Sequence, residues 1–297
     1  MKWDGNRESD NVEDRRGDDS GGGGGGGGFG FGGRSIGIGT IAVALAASYF
    51  FGINPMTVIN LMSGGSAPVA PTVQHNPSRT PAANDPATHF VKVVLADTED
   101  VWGGLFREQN STYVVPKLVL FSGSTATSCG QGQSATGPFY CPADQKVYID
   151  LSFYKLMRDR FHVDGEFAQA YVIAHEVGHH VQNLMGISDK VDAARRRASA
   201  VQSNALSVRL ELQADCFAGV WAFHANEARG ILENGDVESA LNAATAIGDD
   251  ALQRQAQGHV VPDSFTHGTS AQRVRWFKRG ISTGKVTECD TFKTSAL

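Results

Sequence analysis

AHEVGHHVQ, residues 174–182, is the stretch on which the reading of this chain turns. His175 and His179 are four positions apart. On a helix that spacing stacks both imidazoles on one face, where they can grip a single ion from the same side. Glu176 lies one step round and reaches a water beside such an ion rather than the ion itself. Tyr171, Val172, Ile173, Ala174, Val177 and Val181 make the surrounding helix strongly apolar. Its polar face is therefore expected to be buried, and buried His and Glu need partners. The competing interpretation is a pair of satisfied core histidines and a surface glutamate. Asp164 is the expected N-cap of this helix, and Gly186 stands just past its end.

Two histidines and a glutamate leave a tetrahedral metal short of a protein ligand. The HExxH pattern supplies two zinc ligands and a general base; the third ligand must come from elsewhere. RLELQADCFAG, residues 209–219, offers one. Glu211 and Asp215 are again four apart, so both carboxylates face one way. Glu211 could complete a His2Glu set and leave the fourth position to water. Asp215 could accept a hydrogen bond from the far nitrogen of a ligand histidine and so orient it. The alternative is an ordinary salt-bridged helix face using Arg209. Against it, Asp215 is set among Ala214, Cys216, Phe217 and Ala218, an apolar run that suits a buried role. His180 points about 100° away from the His175/His179 face, and His224 and His259 are distant competitors.

Around these motifs, residues 91–109 carry helical apolar spacing and 117–123 read as a strand. A loop with Cys129 and Cys141 follows, then KVYIDLSFY (146–154) as a strand entering a turn. Helical patterns continue at about 189–224, 236–257 and 270–280. A few strands followed mostly by helices predict an α+β domain in which helices dominate.

Upstream the composition changes. Residues 1–34 are charged and then glycine-rich, and the run Gly21–Gly28 has nothing to bury, which predicts a disordered tail. Residues 36–53, IGIGTIAVALAASYFFGI, carry no charge. With flanks they approach the roughly 20 apolar residues that span a bilayer, giving a transmembrane signal-anchor over 35–54. Lys2, Arg7, Arg15, Arg16 and Arg34 precede it and the next basic residue is Arg79. The positive-inside bias then places the N-terminus in the cytoplasm and the remainder outside. A cleaved signal peptide ending near ALAAS is the alternative. Residues 55–88 are a Pro/Ala/Thr-rich linker, and 89–297 form the functional domain. The formal charge of −5 argues against a nucleic-acid partner. Four cysteines without a CxxC pair argue against a cysteine zinc site and allow two disulfides in an oxidising compartment.

HEVGHH followed by ELQADC resembles the gluzincin pattern, HExxH with a later ExxxD. More closely, the chain resembles the putative neutral zinc metallopeptidase family of bacterial membrane-anchored proteins. The resemblance extends over MKWDGNRESDNVEDRRG, FYCPADQKVYIDLSF, HEVGHHVQ, ELQADCFAG and VPDSFTHGTSAQRVRWFKRG. It implies a zincin-like fold with a small sheet, Zn2+ as cofactor, and peptide or protein substrates. It also implies a domain held outside the cytoplasm by a single anchor in the inner membrane. It leaves open a zinc amidase acting on cell-wall peptides and a zinc-binding scaffold without activity. KVYID would be the sheet edge along which an extended peptide lies. THGTSAQR is similar to a late His-Pro…Arg element, with Gly268 in place of the proline. By that likeness His267 would sit near the substrate or oxyanion, and Arg273 would pair with an acid near the site. Cys129–Cys141 with Cys216–Cys289 is one of three possible connectivities. It is favoured because the first pair shares one loop; buried free cysteines are the alternative.

Overall fold

The computed structural model describes residues 1–17, 85–134, 137–294 and 296–297. Helix α1 (Pro86–Glu108) begins where the linker composition ends. The Asp85 side chain accepts from the Ala87 N–H, and Pro86 fills a first-turn position where no N–H is needed. The helix buries Phe90, Val94, Leu95 and Trp102.

A four-stranded sheet follows, built from β1 (Val12–Asp14), β2 (Lys117–Phe121), β5 (Phe139–Cys141) and β6 (Lys146–Asp150), in the order β1-β2-β6-β5. β1 and β6 pair parallel with β2, and β5 pairs antiparallel with β6. Leu118, Val119, Leu120, Val147, Tyr148 and Ile149 are all buried, so both faces of the two central strands are covered. Between β2 and β5 lies a hairpin of β3 (Ser124–Thr127) and β4 (Gly130–Gln133), so the stretch expected to be loop, residues 128–145, contains two short strands, β4 and β5.

The helices after the sheet are α2 (Ser152–Phe161), α3 (Glu166–Leu184), α4 (Ile187–Arg195), α5 (Ala200–Arg229), α6 (Asp236–Ala246), α7 (Asp249–Gln257) and α8 (Ser270–Thr283). The expected class, a helix-dominated α+β domain with a small sheet, holds for the described residues. Two continuous helical patterns are broken. The 189–224 pattern stops after α4 and restarts at α5 behind a capping box made by Ser199 and Gln202. The 236–257 pattern breaks at Ile247–Gly248. SFYKLMRDRF is a helix, α2, rather than a turn. The N-cap of α3 is Gly165, not Asp164, whose carboxylate instead accepts from the Gly165 N–H.

Two glycines let helices approach closely. A Cβ on Gly178 would stand 3.0 Å from the Ala214 carbonyl oxygen, so α3 and α5 nearly touch beside Asp215. A Cβ on Gly280 would collide with the Cys216 carbonyl, which brings α8 equally close to α5. The core between them holds Tyr171, Phe217, Trp221 and Phe277, all fully buried.

Two sequence expectations are corrected. β6 is an interior strand between β2 and β5, so KVYID is not the sheet edge; β5 and β1 are. Residues 1–34 are not uniformly a disordered tail, because Met1–Arg16 belongs to the same compact unit as Pro81–Leu297. Asn11, Val12, Asp14 and Arg15 have few apolar side chains, but their backbone completes the sheet: Leu118 N–H donates to Asn11 O at 2.9 Å and Arg15 N–H to Leu120 O at 2.8 Å. Trp3 packs edge-on against Phe90, with centroids 5.3 Å apart. The run Gly21–Gly28, the anchor at 35–54 and most of the linker at 55–88 lie outside the described residues. Among the described residues no helix is long and apolar enough to cross a membrane.

Candidate metal centre

α3 and α5 cross with Gly178 against Ala214, and this places the two sequence motifs face to face. One nitrogen each of His175 and His179 and one oxygen of Glu211 lie within 4.8 Å of one another. His175 Nε2 is 3.2 Å from Glu211 Oε2, and His179 Nε2 is 3.5 Å from Glu211 Oε1. The two rings stand at 90° with centroids 4.8 Å apart. Among the described residues this is the one cluster of three or more His, Cys, Asp or Glu side chains with metal-binding geometry.

The far nitrogen of each histidine is occupied, which decides where the near nitrogen points. His175 Nδ1 donates to Asp215 Oδ1 at 2.9 Å. His179 Nδ1 donates to Gln182 Oε1 at 2.9 Å. Each Nε2 faces Glu211, and with Nδ1 donating it is the nitrogen that offers a lone pair to a metal once the ring is neutral. Two imidazole lone pairs and a carboxylate with an open side suit zinc in a His2Glu set. The structure thus brings Glu211 together with both histidines and sets Asp215 against the far nitrogen of His175.

Asp215 is fully buried and serves three partners. Tyr171 OH donates to Oδ1 at 2.5 Å, and Arg273 donates to Oδ2 through Nε at 2.9 Å and to Oδ1 through Nη2 at 2.8 Å. Burial alone would raise this carboxyl, but Arg273 and His175 bring it down to about 2. Arg273 is 2% exposed, and the acidic partner anticipated for it is Asp215. Tyr171 is four residues before His175, so helix spacing could have flagged it. Gln182, three after His179, could have been flagged in the same way.

Glu176 is 7% exposed, and burial raises its pKa against the pull of His175 and His179. Tyr154 of α2 is also buried, and its hydroxyl has no hydrogen-bond partner. Burial first and the charge of Glu176 second push that hydroxyl upward, so the two groups are neighbours.

His267 stands two residues before the N-cap of α8, with half its side chain exposed. Asp249 accepts from His267 N–H at 2.6 Å and from Nδ1 at 3.2 Å. Burial lowers this histidine, but Asp249 and the charge of Glu211 carry it above its ordinary value. Asp249, in IGDD, escaped the sequence reading because nothing in spacing links it to His267; only the packing of α7 beside α8 does. Among the described residues, His180, His224 and His259, the competitors weighed for the third ligand, have other partners and are not in the cluster. His180 is fully buried and spans Tyr140 OH at 3.0 Å and Val114 O at 2.6 Å, pinning β5 to the loop before β2. His224 bonds Gly284 O, and His259 bonds Gln257 O. Arg209 does not form a helix salt-bridge face; it donates to the carbonyls of Thr291 and Thr294.

Both disulfides take the favoured connectivity, Cys129–Cys141 and Cys216–Cys289, and no described cysteine is free. The second ties the C-terminal tail to α5 one residue beyond Asp215.

Without a cation, burial would lower His175, yet Asp215 and Glu211 carry it up to about 10, and Glu211 holds His179 above its ordinary value. At about 10 the His175 ring carries a proton at neutral pH, whereas a metal takes neutral imidazole. Zinc uptake at pH 8 should therefore release protons, and affinity should climb with pH toward about 10. Titration calorimetry in buffers of different ionisation enthalpy counts those protons; uptake without release would contradict the charge state derived for His175.

The chain matches the family described as putative neutral zinc metallopeptidase over residues 1–292. It is 54% identical over 296 residues to the uncharacterized protein YpfJ of Escherichia coli strain K12, covering 99% of this chain and 100% of that one. It is 39% identical over 239 residues to the uncharacterized protein Rv2575 of Mycobacterium tuberculosis strain H37Rv, covering 77% and 79% of the two chains. No solved structure matches it.

Proposed function

The chain belongs to the putative neutral zinc metallopeptidase family, and from that premise we propose that it hydrolyses peptide bonds at the His175–His179–Glu211 centre with Glu176 as general base. The observation that carries this reading is the convergence of the three ligand atoms within 4.8 Å, with Glu176 buried on the same helix. His175, His179 and Glu211 would hold Zn2+, which when bound lowers the pKa of water and polarises a carbonyl.

The protein groups then divide the work. Glu176 takes the proton of the attacking water and returns it to the leaving amine. Its raised pKa suits both halves of that transfer, since a carboxylate that is too acidic holds no proton to give back. His267, its pKa raised and its Nδ1 held by Asp249, would stabilise the oxyanion. Asp215, Tyr171 and Arg273 fix His175 so that no reorganisation is needed when charge develops. The substrate backbone would pair with the outer edge of β5, the short strand that ends the sheet beside β6.

The test uses the purified full chain, a quenched fluorescent peptide library and elemental analysis. Wild type should carry one zinc per chain, lose activity on chelation and regain it with zinc. Glu211→Ala should lose most of the zinc and the activity together. Unchanged zinc content in that variant would put the third ligand elsewhere, and zinc-loaded wild type without hydrolysis of any peptide would sink the peptidase reading.

A further inference from the structure

His175 is oriented by a carboxylate, whereas His179 is oriented by a chain of neutral amides that leaves the site altogether. His179 Nδ1 is 2.9 Å from Gln182 Oε1. Gln182 Nε2 is 2.7 Å from Leu210 O and 3.1 Å from Gln213 Oε1. Gln213 Nε2 is 3.0 Å from Cys289 O. Gln182 is fully buried and Gln213 is 4% exposed, so water does not substitute for either partner. The direction of every bond follows from the first. If His179 gives Nε2 to a metal, Nδ1 must donate, so Gln182 accepts through oxygen and donates through nitrogen, and Gln213 must do the same. The chain ends on a backbone carbonyl held in place by the Cys216–Cys289 disulfide and by Thr291 Oγ1 donating to Arg209 O at 2.7 Å.

We propose that Gln182 and Gln213 are positioning residues for the metal centre, fixing the His179 tautomer through a one-way amide relay braced by the disulfide-tied C-terminal tail. This rests on His175, His179 and Glu211 being the zinc site. Losing an outer partner of a metal-bound histidine typically weakens binding by about 10–100-fold.

The experiment is zinc affinity of the full chain by competition with a chromophoric chelator. Gln182→Leu, which removes the acceptor, should bind zinc about 10–100-fold more weakly. Gln182→Glu keeps an acceptor oxygen for His179 but loses the donor to Leu210 O and Gln213 Oε1, so it should recover only part of the loss. Gln213→Ala should weaken binding in the same direction by less. A folded Gln182→Leu with wild-type affinity overturns the relay; if that variant does not fold, unchanged affinity in Gln213→Ala overturns it. Wild type that binds zinc tightly but cleaves no peptide would defeat the functional reading while leaving the relay standing.

A second inference stands on the N-terminal segment alone. Glu99 of α1 is 8% exposed, and the partners of its carboxylate come from that segment. They are Ser9 Oγ at 2.5 Å, Asn11 Nδ2 at 2.9 Å and Arg7 Nη2 at 3.0 Å. Removing all three would leave a buried charge unpaired. β1 also supplies the edge of the central sheet, with Val12, Glu13 and Asp14 opposite Leu118, Val119 and Leu120. Backbone pairing of this kind cannot be made across a bilayer. We infer that Met1–Arg16 and the metal-binding domain lie on the same side of any membrane the chain meets. A single crossing at 35–54 with a cytoplasmic N-terminus and an external domain is then incompatible with this fold. The native cysteines are paired, so single cysteines at Asp10→Cys and Arg196→Cys, both exposed, can be labelled selectively. With a membrane-impermeant maleimide on sealed vesicles of one orientation, both positions should react or both should be protected. One reactive and one protected position would overturn the inference.

Discussion

Glu176→Gln is expected to keep zinc at wild-type stoichiometry and to lose roughly 10²–10⁴-fold in kcat. The substitution is nearly isosteric, so the packing of α3 against α5 is preserved. It does not touch the candidate ligand set, which is His175, His179 and Glu211. What it removes is the one buried carboxylate at the site that is not already committed: Glu211 faces both histidines and Asp215 is held by Arg273 and Tyr171. A purely structural zinc site would have no use for a base there, and its variant would be indistinguishable from wild type. The measurements are elemental zinc and peptide turnover on the same sample. Wild-type turnover with zinc bound would remove Glu176 from the mechanism.

Asp215→Ala should produce the largest loss of stability of any single change near the site, about 3–5 kcal/mol. It would strand Arg273, 2% exposed, without its carboxylate and leave Tyr171 OH and His175 Nδ1 without their acceptor. The cost comes from the uncompensated buried cation more than from the lost ion pair. Asp215→Ala combined with Arg273→Leu should therefore recover much of it. Denaturant unfolding of the two variants decides the point; a single-variant loss under about 1 kcal/mol would mean that water or another group satisfies Arg273. The pH sign follows from the direction of the shift. Asp215 is held at about 2, below its ordinary 3.8, so its contribution is full above the unfolded value and fades as pH falls toward 2.

The candidate metal centre was legible in sequence to the extent that helix geometry made it so. His175 with His179 and Glu211 with Asp215 are each four apart, and a 3.6-residue turn puts each pair on one face whatever the rest of the chain does. Pairing Arg273 with a site acid was legible from its likeness to a known motif, though which acid was not. Asp249 and the Gln213 end of the relay carried no local signal, since their partners are 18 and 76 residues away. The same limit explains the errors in the fold. KVYID alternates as any strand does, and its interior place depends on the partner that FYC supplies from a stretch that looks like loop. Met1–Arg16 is polar and short of apolar residues, so composition marks it as a tail; its backbone and the buried Glu99 hold it in the domain.

Sequence alone therefore determined the chemistry on each helix, because side-chain facing is a local property of the backbone. Tertiary structure decided which faces meet. Only the close approach at Gly178 and Ala214 sets two histidines against Glu211, and only sheet pairing brings the N-terminal strand home; both depend on contacts between residues far apart in the chain.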